Sequence, residues 1–284
     1  MPPTDQLGVL QACWRFFVLG VVQGLTEFLP ISSTAHLKVI PVVLGWGDPG
    51  VAVTAVIQLG SILAVVGFFR DDLRQVLLGM GQALRDQRWD DHQARLGLAI
   101  VLGTIPILLA GLAIKIGVPD FDRSPLRSLT SIAVVSIAMA LLLALAERMG
   151  RRRRQLEQVT VADGIWVGLA QALALIPGVS RSGSTLTAAL FDGWQRADAA
   201  RFSFLLGIPA ITIAGLVELK EAFSQPIAGG VVPLLIGIAS SALVSWLAIA
   251  WLLRFLQHHS TWWFVGYRLF FGVGLLLWVG RLAA

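Results

Sequence analysis

The chain has 284 residues, of which 56% are hydrophobic and 14% are charged, whereas soluble domains carry about 25% charged residues. This composition excludes an ordinary soluble protein and predicts a single integral membrane domain over residues 1–284, surrounded by lipid. The net charge of +5 does not indicate a nucleic-acid partner, because the arginines fall in short loops between apolar runs, where cations set membrane orientation. The single cysteine, Cys13, excludes an intramolecular disulfide.

Eight apolar regions follow along the chain, and they fall into two kinds. A transmembrane helix needs roughly 20 apolar residues, and six segments are long enough: 51–69, 96–114, 129–146, 202–219, 231–253 and 262–279. Of the other two regions, residues 7–29 are apolar but are interrupted by polar residues and end at Pro30, and residues 162–176 are too short and end at Pro177. Each predicts a helix–turn–helix that enters the membrane and returns, which requires protein or water around the non-helical backbone. The predicted fold class is therefore an all-α polytopic membrane protein with six transmembrane helices and two re-entrant hairpins.

The loop cations give this arrangement an orientation. With the N-terminus outside, most arginines fall in cytoplasmic loops, among them Arg70, the run Arg151 to Arg154, and Arg268. This bias agrees with the positive-inside rule. The first hairpin then enters from the outer face and the second from the cytoplasm.

The two hairpin regions also match each other at a spacing of 148 residues. The matched pairs include Gln23 with Gln171 and Ser32 with Ser180. Because the hairpins enter from opposite faces, residues 7–115 and 160–253 are predicted to form an inverted-topology repeat. Transporters with such repeats bind their substrates where broken helices meet near the midplane. We therefore expect the two turns to face each other.

The second turn has the composition of a phosphate site. Arg181 lies between Gly178 and Gly183, where glycine lets the backbone approach an anion and the next helix start offers N–H groups. The arginine fork suits phosphate oxygens. An alternative is a structural arginine paired with a buried acid such as Glu27. The neighbouring hydroxyls of Ser182, Ser184 and Thr185 could equally be helix caps.

The first turn is preceded by an acid at membrane depth, where an ionisable residue indicates a functional site. Gln23 and Glu27 are four residues apart and share a helix face. Glu27 needs a partner, which could be a hydrated divalent cation bridging to substrate phosphates, Arg181 or His36. Gln23 offers only an amide oxygen, so a tight metal cage is not expected. Gln58 could orient Glu27, contact a phosphate or bond between helices.

His36 follows the first turn closely enough to act with it. It lies three residues after Ser33 and four after Ser32, and a serine beside an imidazole is a nucleophile–base pattern. The same imidazole could instead activate water or protonate a leaving oxygen. The sequence leaves both mechanisms open.

Two strings carry a family resemblance: QGLTEFLPISSTAH from Gln23 to His36, and PGVSRSGST from Pro177 to Thr185. Together they closely resemble the undecaprenyl-diphosphate phosphatases, bacterial membrane enzymes associated with bacitracin resistance. The resemblance implies hydrolysis of undecaprenyl diphosphate to undecaprenyl phosphate and inorganic phosphate, which recycles the lipid carrier of peptidoglycan synthesis. It also implies a cytoplasmic (inner) membrane location, a site open to the periplasmic face, and a divalent metal ion such as Mg²⁺ or Ca²⁺.

The resemblance assigns roles to residues of both strings. It implies catalytic roles for Glu27, Ser33, His36 and Arg181, phosphate binding by Ser32, Ser180, Arg181, Ser182 and Thr185, and metal binding by Glu27 with Gln23. Many members of the family are acidic at the position of Gln23, so two carboxylates are not expected to hold the metal here. The rival hypothesis is a flippase or transporter of undecaprenyl phosphate, and a homodimer is left open.

Overall fold

The computed structural model describes residues 8–118, 124–222 and 230–283. Over these ranges the chain forms eleven α-helices and no β-strand, which confirms the predicted all-helical class. In chain order they are α1 Val9–Phe28, α2 Ser33–Val43, α3 Gly50–Phe68, α4 Arg70–Asp86, α5 His92–Gly117, α6 Leu129–Met149, α7 Val161–Ala172, α8 Arg181–Phe191, α9 Arg196–Ala222, α10 Val231–His258 and α11 Trp262–Ala283.

Six helices are long and apolar enough to cross a membrane, namely α1, α5, α6, α9, α10 and α11. The last five coincide with predicted spans, which supports a polytopic membrane protein. The predicted span 51–69 corresponds to α3, which meets α4 at a 67° bend. The segment from Arg70 was expected to be a cytoplasmic loop, but it forms α4, an amphipathic helix with Asp71 and Asp72 in its first turn. Such a helix is stabilised by packing one apolar face and was missed because its mean hydropathy is low.

Both regions predicted as helix–turn–helix form that motif. In the first, α1 ends before Pro30, with Leu29 already extended (φ −68°, ψ 143°), because a residue before proline is disfavoured in the helical region. In the second, α7 passes into a short 3₁₀ turn and Ile176 is extended before Pro177. The helices that follow, α2 and α8, are each 11 residues long.

Close helix packing fixes where the two turns lie. A Cβ atom at Gly24 of α1 would lie 2.7 Å from the Val244 Cβ of α10, and one at Gly168 of α7 would lie 2.1 Å from the Gly103 carbonyl oxygen of α5. Glycine is therefore required at both crossings, and small residues of this kind let membrane helices approach closely. These contacts anchor the helices that precede each turn.

Candidate active site

The two turns meet at a cavity of about 140 Å³. Its polar lining is contributed by Glu27, Ser32, Ser33, Thr34, Gln58, Ser180 and Arg181. Its apolar lining comes from α5, from residues 174–176 and from α9, with Ile107, Leu175, Ile176 and Ile211 as the large side chains. The prediction that the two turns face each other is therefore confirmed at the level of their residues. The lining of the cavity is therefore partly polar and partly apolar.

Each turn ends at a serine with unusual backbone geometry. Ser32 has φ 78° and ψ 100°, and Ser180 has φ 72° and ψ 117°, a region that residues other than glycine rarely adopt and that costs about 1–3 kcal/mol. Both side chains cap the helix that follows: Ser32 accepts from the Ala35 N–H at 3.4 Å and Ser180 from the Gly183 N–H at 3.2 Å. The first helical residue after each cap, Ser33 or Arg181, then lines the cavity.

Glu27 is the acid of the site and is fully partnered. Its side chain is 8% exposed. One carboxylate oxygen lies 3.2 Å from Arg181 Nη2, and the other accepts from Ser33 Oγ at 2.7 Å and Gln23 Nε2 at 3.1 Å. A buried charge is tolerated when it is paired and hydrogen-bonded, so these donors explain how an acid persists in apolar surroundings. The Glu27–Arg181 pair, one alternative from the sequence, is formed.

Arg181 uses only part of its hydrogen-bonding capacity within the described residues. Its Nη2 donates to Glu27, while Nε and Nη1 have no acceptor among the described residues. The guanidinium lies against Gly207 of α9, where a Cβ atom would come within 1.6 Å of Nη1. The missing side chain of Gly207 therefore leaves the space that the Arg181 guanidinium occupies. Nothing in the sequence distinguishes Gly207 from an ordinary helix glycine.

His36 does not lie in this cavity. Its Nδ1 is 2.7 Å from the Ser32 carbonyl oxygen, and its Nε2 is 2.6 Å from the Tyr267 hydroxyl. Because a carbonyl only accepts, Nδ1 carries the proton, and the neutral ring accepts from tyrosine at Nε2. The ring also stacks on Phe271 at 4.5 Å between centroids. It lines a separate, largely apolar cavity of about 400 Å³.

The expected pairing of Ser33 with His36 therefore needs correction. Ser33 donates to Glu27 instead, because the imidazole turns towards α11 and Tyr267. The catalytic role predicted for His36 stays a prediction.

The predicted phosphate ligands divide into two groups. Ser32, Ser180 and Arg181 line the cavity, whereas Ser182 and Thr185 do not. Ser182 donates to the Leu29 carbonyl oxygen at 2.9 Å, and Thr185 donates to the Arg181 carbonyl oxygen at 2.8 Å and bonds to Ser203 at 2.5 Å. The last two are committed to other contacts because α8 directs them away from the cavity. Ser182 joins the second turn to the first, and Thr185 joins α8 to α9.

Gln23 was predicted as a tentative metal ligand and stands beside the acid. Its amide donates to Glu27 and, at 3.4 Å, to Ser61, which bonds in turn to Ser241 and Ser245. Within the described ranges, no group of three or more His, Cys, Asp or Glu residues is placed to hold a metal ion. Gln23 donates to Glu27, which an ionised carboxylate at this position could not do, and its predicted role as a metal ligand stays a prediction.

Arg268 was counted among the cytoplasmic loop cations, and this was wrong. It lies on α11, is 1% exposed, and donates to the carbonyl oxygens of Pro30, Val179, Gly178 and Ser136 at 3.1, 3.1, 2.7 and 3.3 Å. Irregular turns leave carbonyls without helical partners, and this guanidinium satisfies both turns at once. Its position inside an apolar span was the sequence signal that could have revealed this role.

Comparison of the sequence with known protein families gives a match over most of the chain. The family model described as "Bacitracin resistance protein BacA" matches residues 16–274. The chain belongs to this family. The matched range contains both turns, every residue that lines the site cavity, and Arg268, so the whole site falls within the BacA family's pattern.

Curated relatives are similar over nearly the full length. The chain is 70% identical over 271 residues to an undecaprenyl-diphosphatase of Synechococcus sp. (strain WH7803), covering 95% of each chain. It is 68% identical over 277 residues to one from Parasynechococcus marenigrum (strain WH8102), covering 97% of this chain and 96% of the relative. A third, from Prochlorococcus marinus (strain MIT 9303), is 70% identical over 95% of this chain and 92% of its own. All three BacA-like relatives carry the same activity name.

Proposed function

We propose that this chain hydrolyses undecaprenyl diphosphate to undecaprenyl phosphate and inorganic phosphate, in the bacterial cytoplasmic membrane. The observation that carries the proposal is the cavity at which the two turns meet, where Glu27 is hydrogen-bonded to both Ser33 and Arg181. Membership of the BacA family and the names of the relatives support it. The product would be recycled as the lipid carrier of peptidoglycan synthesis, which agrees with bacitracin resistance.

The cavity matches the two chemical parts of such a substrate. Arg181 has two donor nitrogens without an acceptor in the described part of the chain, and arginine is suited to hold phosphate oxygens in two parallel bonds. The same cavity is also lined by the apolar side chains of Ile107, Leu175 and Ile211, which would contact a polyprenyl chain. Phosphoryl transfer depends mainly on positioning and charge stabilisation, and we assign that work to Arg181.

The hydrogen bond from Ser33 to Glu27 supports a nucleophilic serine. Ser33 Oγ attacks the terminal phosphorus while its proton passes to Glu27, and the bond from that phosphorus to the bridging oxygen breaks. Undecaprenyl phosphate leaves, and water then releases inorganic phosphate from the serine. In the alternative, water attacks the terminal phosphorus directly, with the same overall products. His36 would act as the base in either route only after its ring left Tyr267.

A divalent ion fits the residues present only in a hydrated form. Near the cavity, Glu27 supplies one carboxylate, Gln23 an amide and Ser33 a hydroxyl, a donor set too small for an all-protein cage. Mg²⁺ commonly binds through one carboxylate, substrate phosphates and several waters, so Glu27, with Gln23 beside it, would hold it. Such an ion would neutralise charge on the diphosphate.

We also propose the finer topology. The 148-residue spacing, the similar conformations of Ser32 and Ser180, and the equal lengths of α2 and α8 support two re-entrant hairpins in an inverted repeat. The distribution of loop arginines supports a site open to the periplasmic face.

One assay tests the proposal against its rival. Purified protein in detergent is given undecaprenyl diphosphate with and without chelator, and inorganic phosphate is measured. We expect release that falls when the metal is removed. A flippase of undecaprenyl phosphate would release none, and that result would overturn the proposal. Trapping phosphate on Ser33 then distinguishes the covalent route, since a direct attack by water leaves no labelled serine.

A further inference from the structure

Gln58 of α3 is a polar residue of the site cavity, the cavity of about 140 Å³ at which the two turns meet. It is half-buried and lines this cavity together with Glu27 and Arg181. The sequence leaves three roles open for its amide: to orient Glu27, to bond between helices or to contact a phosphate. The hydrogen bonds of the described residues separate these roles.

Glu27 is oriented by other side chains. One carboxylate oxygen accepts from Arg181, and the other accepts from Ser33 and Gln23. Gln58 is not among these donors, so the first role is filled without it.

The hydrogen bonds between helices near Gln58 belong to Ser61, which lies about one turn further along α3. The Ser61 hydroxyl bonds to Gln23 of α1 and to Ser241 and Ser245 of α10. The Gln58 amide has no hydrogen bond to any described residue, and its atoms are not among the buried unpartnered atoms, so they are accessible from the cavity. Contact with a ligand in the cavity is the role that remains.

Thr34 of α2 adds a second uncommitted donor. It follows Ser33 in the chain, is exposed and lines the same cavity, and its hydroxyl has no hydrogen bond to a described residue. The hydroxyls of Ser32 and Ser180 cap helices instead. Gln58 and Thr34 can therefore turn to a ligand without losing a bond to any described residue.

A diphosphate needs more donors than Arg181 provides. It has negatively charged oxygens on both phosphate groups, and a charged oxygen left without a donor in a buried site is costly. Arg181 has two nitrogens without an acceptor among the described residues, which suit the oxygens of one phosphate group. Because Arg181 and Ser33 both bond to Glu27, and Ser33 attacks the terminal phosphorus in the proposed reaction, that group is the terminal phosphate.

We propose that Gln58, assisted by Thr34, binds the phosphate group that stays with the lipid and so selects a diphosphate substrate. This inference rests on the proposed function, because it divides the substrate of that reaction between two groups of residues. The Gln58 amide donates its N–H groups to non-bridging oxygens and takes no part in bond cleavage. A lipid with a single phosphate could contact Arg181 or Gln58, whereas a diphosphate contacts both.

Steady-state kinetics with two inhibitors provide the test. Release of radiolabelled phosphate from undecaprenyl diphosphate by the full-length protein in detergent is measured with added undecaprenyl phosphate or unlabelled inorganic phosphate. The proteins are the wild type, Gln58→Leu and the control Gln82→Leu, which alters an exposed glutamine of α4 outside the site cavity.

The two inhibitors should respond differently to the loss of the amide. We expect KM and the inhibition constant of undecaprenyl phosphate to rise about 10-fold in Gln58→Leu only, the size of a lost hydrogen bond to a charged group. The value of kcat should stay within about twofold, because this bond serves substrate binding. The inhibition constant of inorganic phosphate, which binds at Arg181, should also be unchanged.

Three results would overturn the proposal. An unchanged KM with unchanged inhibition by undecaprenyl phosphate would show that the amide contacts neither lipid. A loss confined to kcat would place Gln58 at the attacking water, and weaker inhibition by inorganic phosphate would place it at the terminal phosphate. Wild-type protein that releases no phosphate from the lipid would instead refute the proposed function, so the two failures are distinguishable.

A second variant covers the case in which Gln58→Leu does not fold. Gln58→Glu keeps the size and shape of the side chain but replaces its N–H donors by a charge that repels phosphate, so we expect KM to rise about 30-fold or more. Thr34→Val, which removes one hydroxyl, should raise KM about threefold. A Gln58→Glu protein with the KM of the wild type would contradict a phosphate contact.

Discussion

The two turns share a backbone design and differ in what each carries. Both place a serine with positive φ before an 11-residue helix. At the 148-residue spacing, Glu27 of the first region corresponds to Leu175 of the second, and Arg181 of the second corresponds to Ser33 of the first. The acid and the hydroxyl therefore lie on one side and the cation on the other. The two turns therefore have similar backbone geometry, while their side chains differ and are chemically complementary.

Removing the cation from the second turn should have the largest effect. Arg181→Ala leaves Glu27 without its ion pair and removes the proposed phosphate donor, so we expect phosphate release to fall about 100-fold or more, the size of losing a preorganised transition-state donor. Arg85→Ala, which alters an arginine side chain 89% exposed, is the control. Full activity of the Arg181 variant with an unchanged thermal unfolding profile would refute the site assignment.

Substitutions at Gly207 and at Gly60 should affect activity and stability differently. A Cβ atom at Gly207 would meet the mobile end of Arg181, whereas one at Gly60 of α3 would lie 2.2 Å from the Ile238 carbonyl oxygen of α10. We expect Gly207→Ala to displace the guanidinium and lower kcat/KM about 10-fold or more while the protein stays folded. Gly60→Ala should instead destabilise the fold by about 1–3 kcal/mol, as overpacking does.

Measuring thermal unfolding and kinetics on both glycine variants distinguishes a loss of rate from a loss of stability. A Gly207→Ala protein that loses stability but keeps its rate per folded molecule would show that α9 does not position Arg181.

The glutamines that correspond in the two regions should respond differently. Gln23 donates to Glu27 and Ser61, whereas both amide atoms of Gln171, a fully buried residue, have no partner among the described residues. Gln23→Leu is expected to lower the rate about 10-fold by releasing the acid. Gln171→Leu should raise the unfolding temperature, since an unsatisfied buried amide costs about 1–3 kcal/mol. Equal losses of activity in both variants would contradict the asymmetry.

Tyr267→Phe should have the smallest effect. It removes the hydroxyl that donates to His36 Nε2 and preserves the ring beside Phe271. We expect a change of a few-fold in rate if His36 supports the turn from its present position. A change in the pH profile, or a faster enzyme, would indicate that tyrosine restrains a ring that acts in the reaction.

The sequence predicted the parts of the site that carry a chemical cost. Glu27 and Arg181 were found because charged groups within apolar runs are energetically costly and indicate a functional site. Both turns were found because proline ends a helix. Gly207 gave no signal, since its role is defined by a guanidinium 26 positions away in the chain and by the packing of α8 on α9. The orientation of His36 depended on a rotamer that Tyr267 selects. Contacts between helices that are far apart in the sequence decide both the role of Gly207 and the orientation of His36.

The same limit explains two misplaced elements of the fold. Mean hydropathy identified five of the spans, but it did not find α4, whose residues are amphipathic. It also did not count α1 among the spans, because Arg15, Gln23 and Glu27 interrupt its apolar residues, although this helix of 20 residues is long and apolar enough to cross a membrane. Gln23 and Glu27 are tolerated in α1 because Gln23 donates to Ser61 of α3 and Glu27 accepts from Arg181 of α8, tertiary contacts that no single window of sequence contains.

Arg268 has a consequence for how the protein is made. Its one guanidinium joins carbonyls from both turns, yet it lies on α11, which the ribosome synthesises after every other described helix. The turns can reach their places earlier, but the hydrogen bonds that Arg268 donates to both of them cannot form until this last helix is in place. The catalytic geometry is therefore a late product of biosynthesis, and chains released before α11 is complete would carry every proposed reacting group without a formed site.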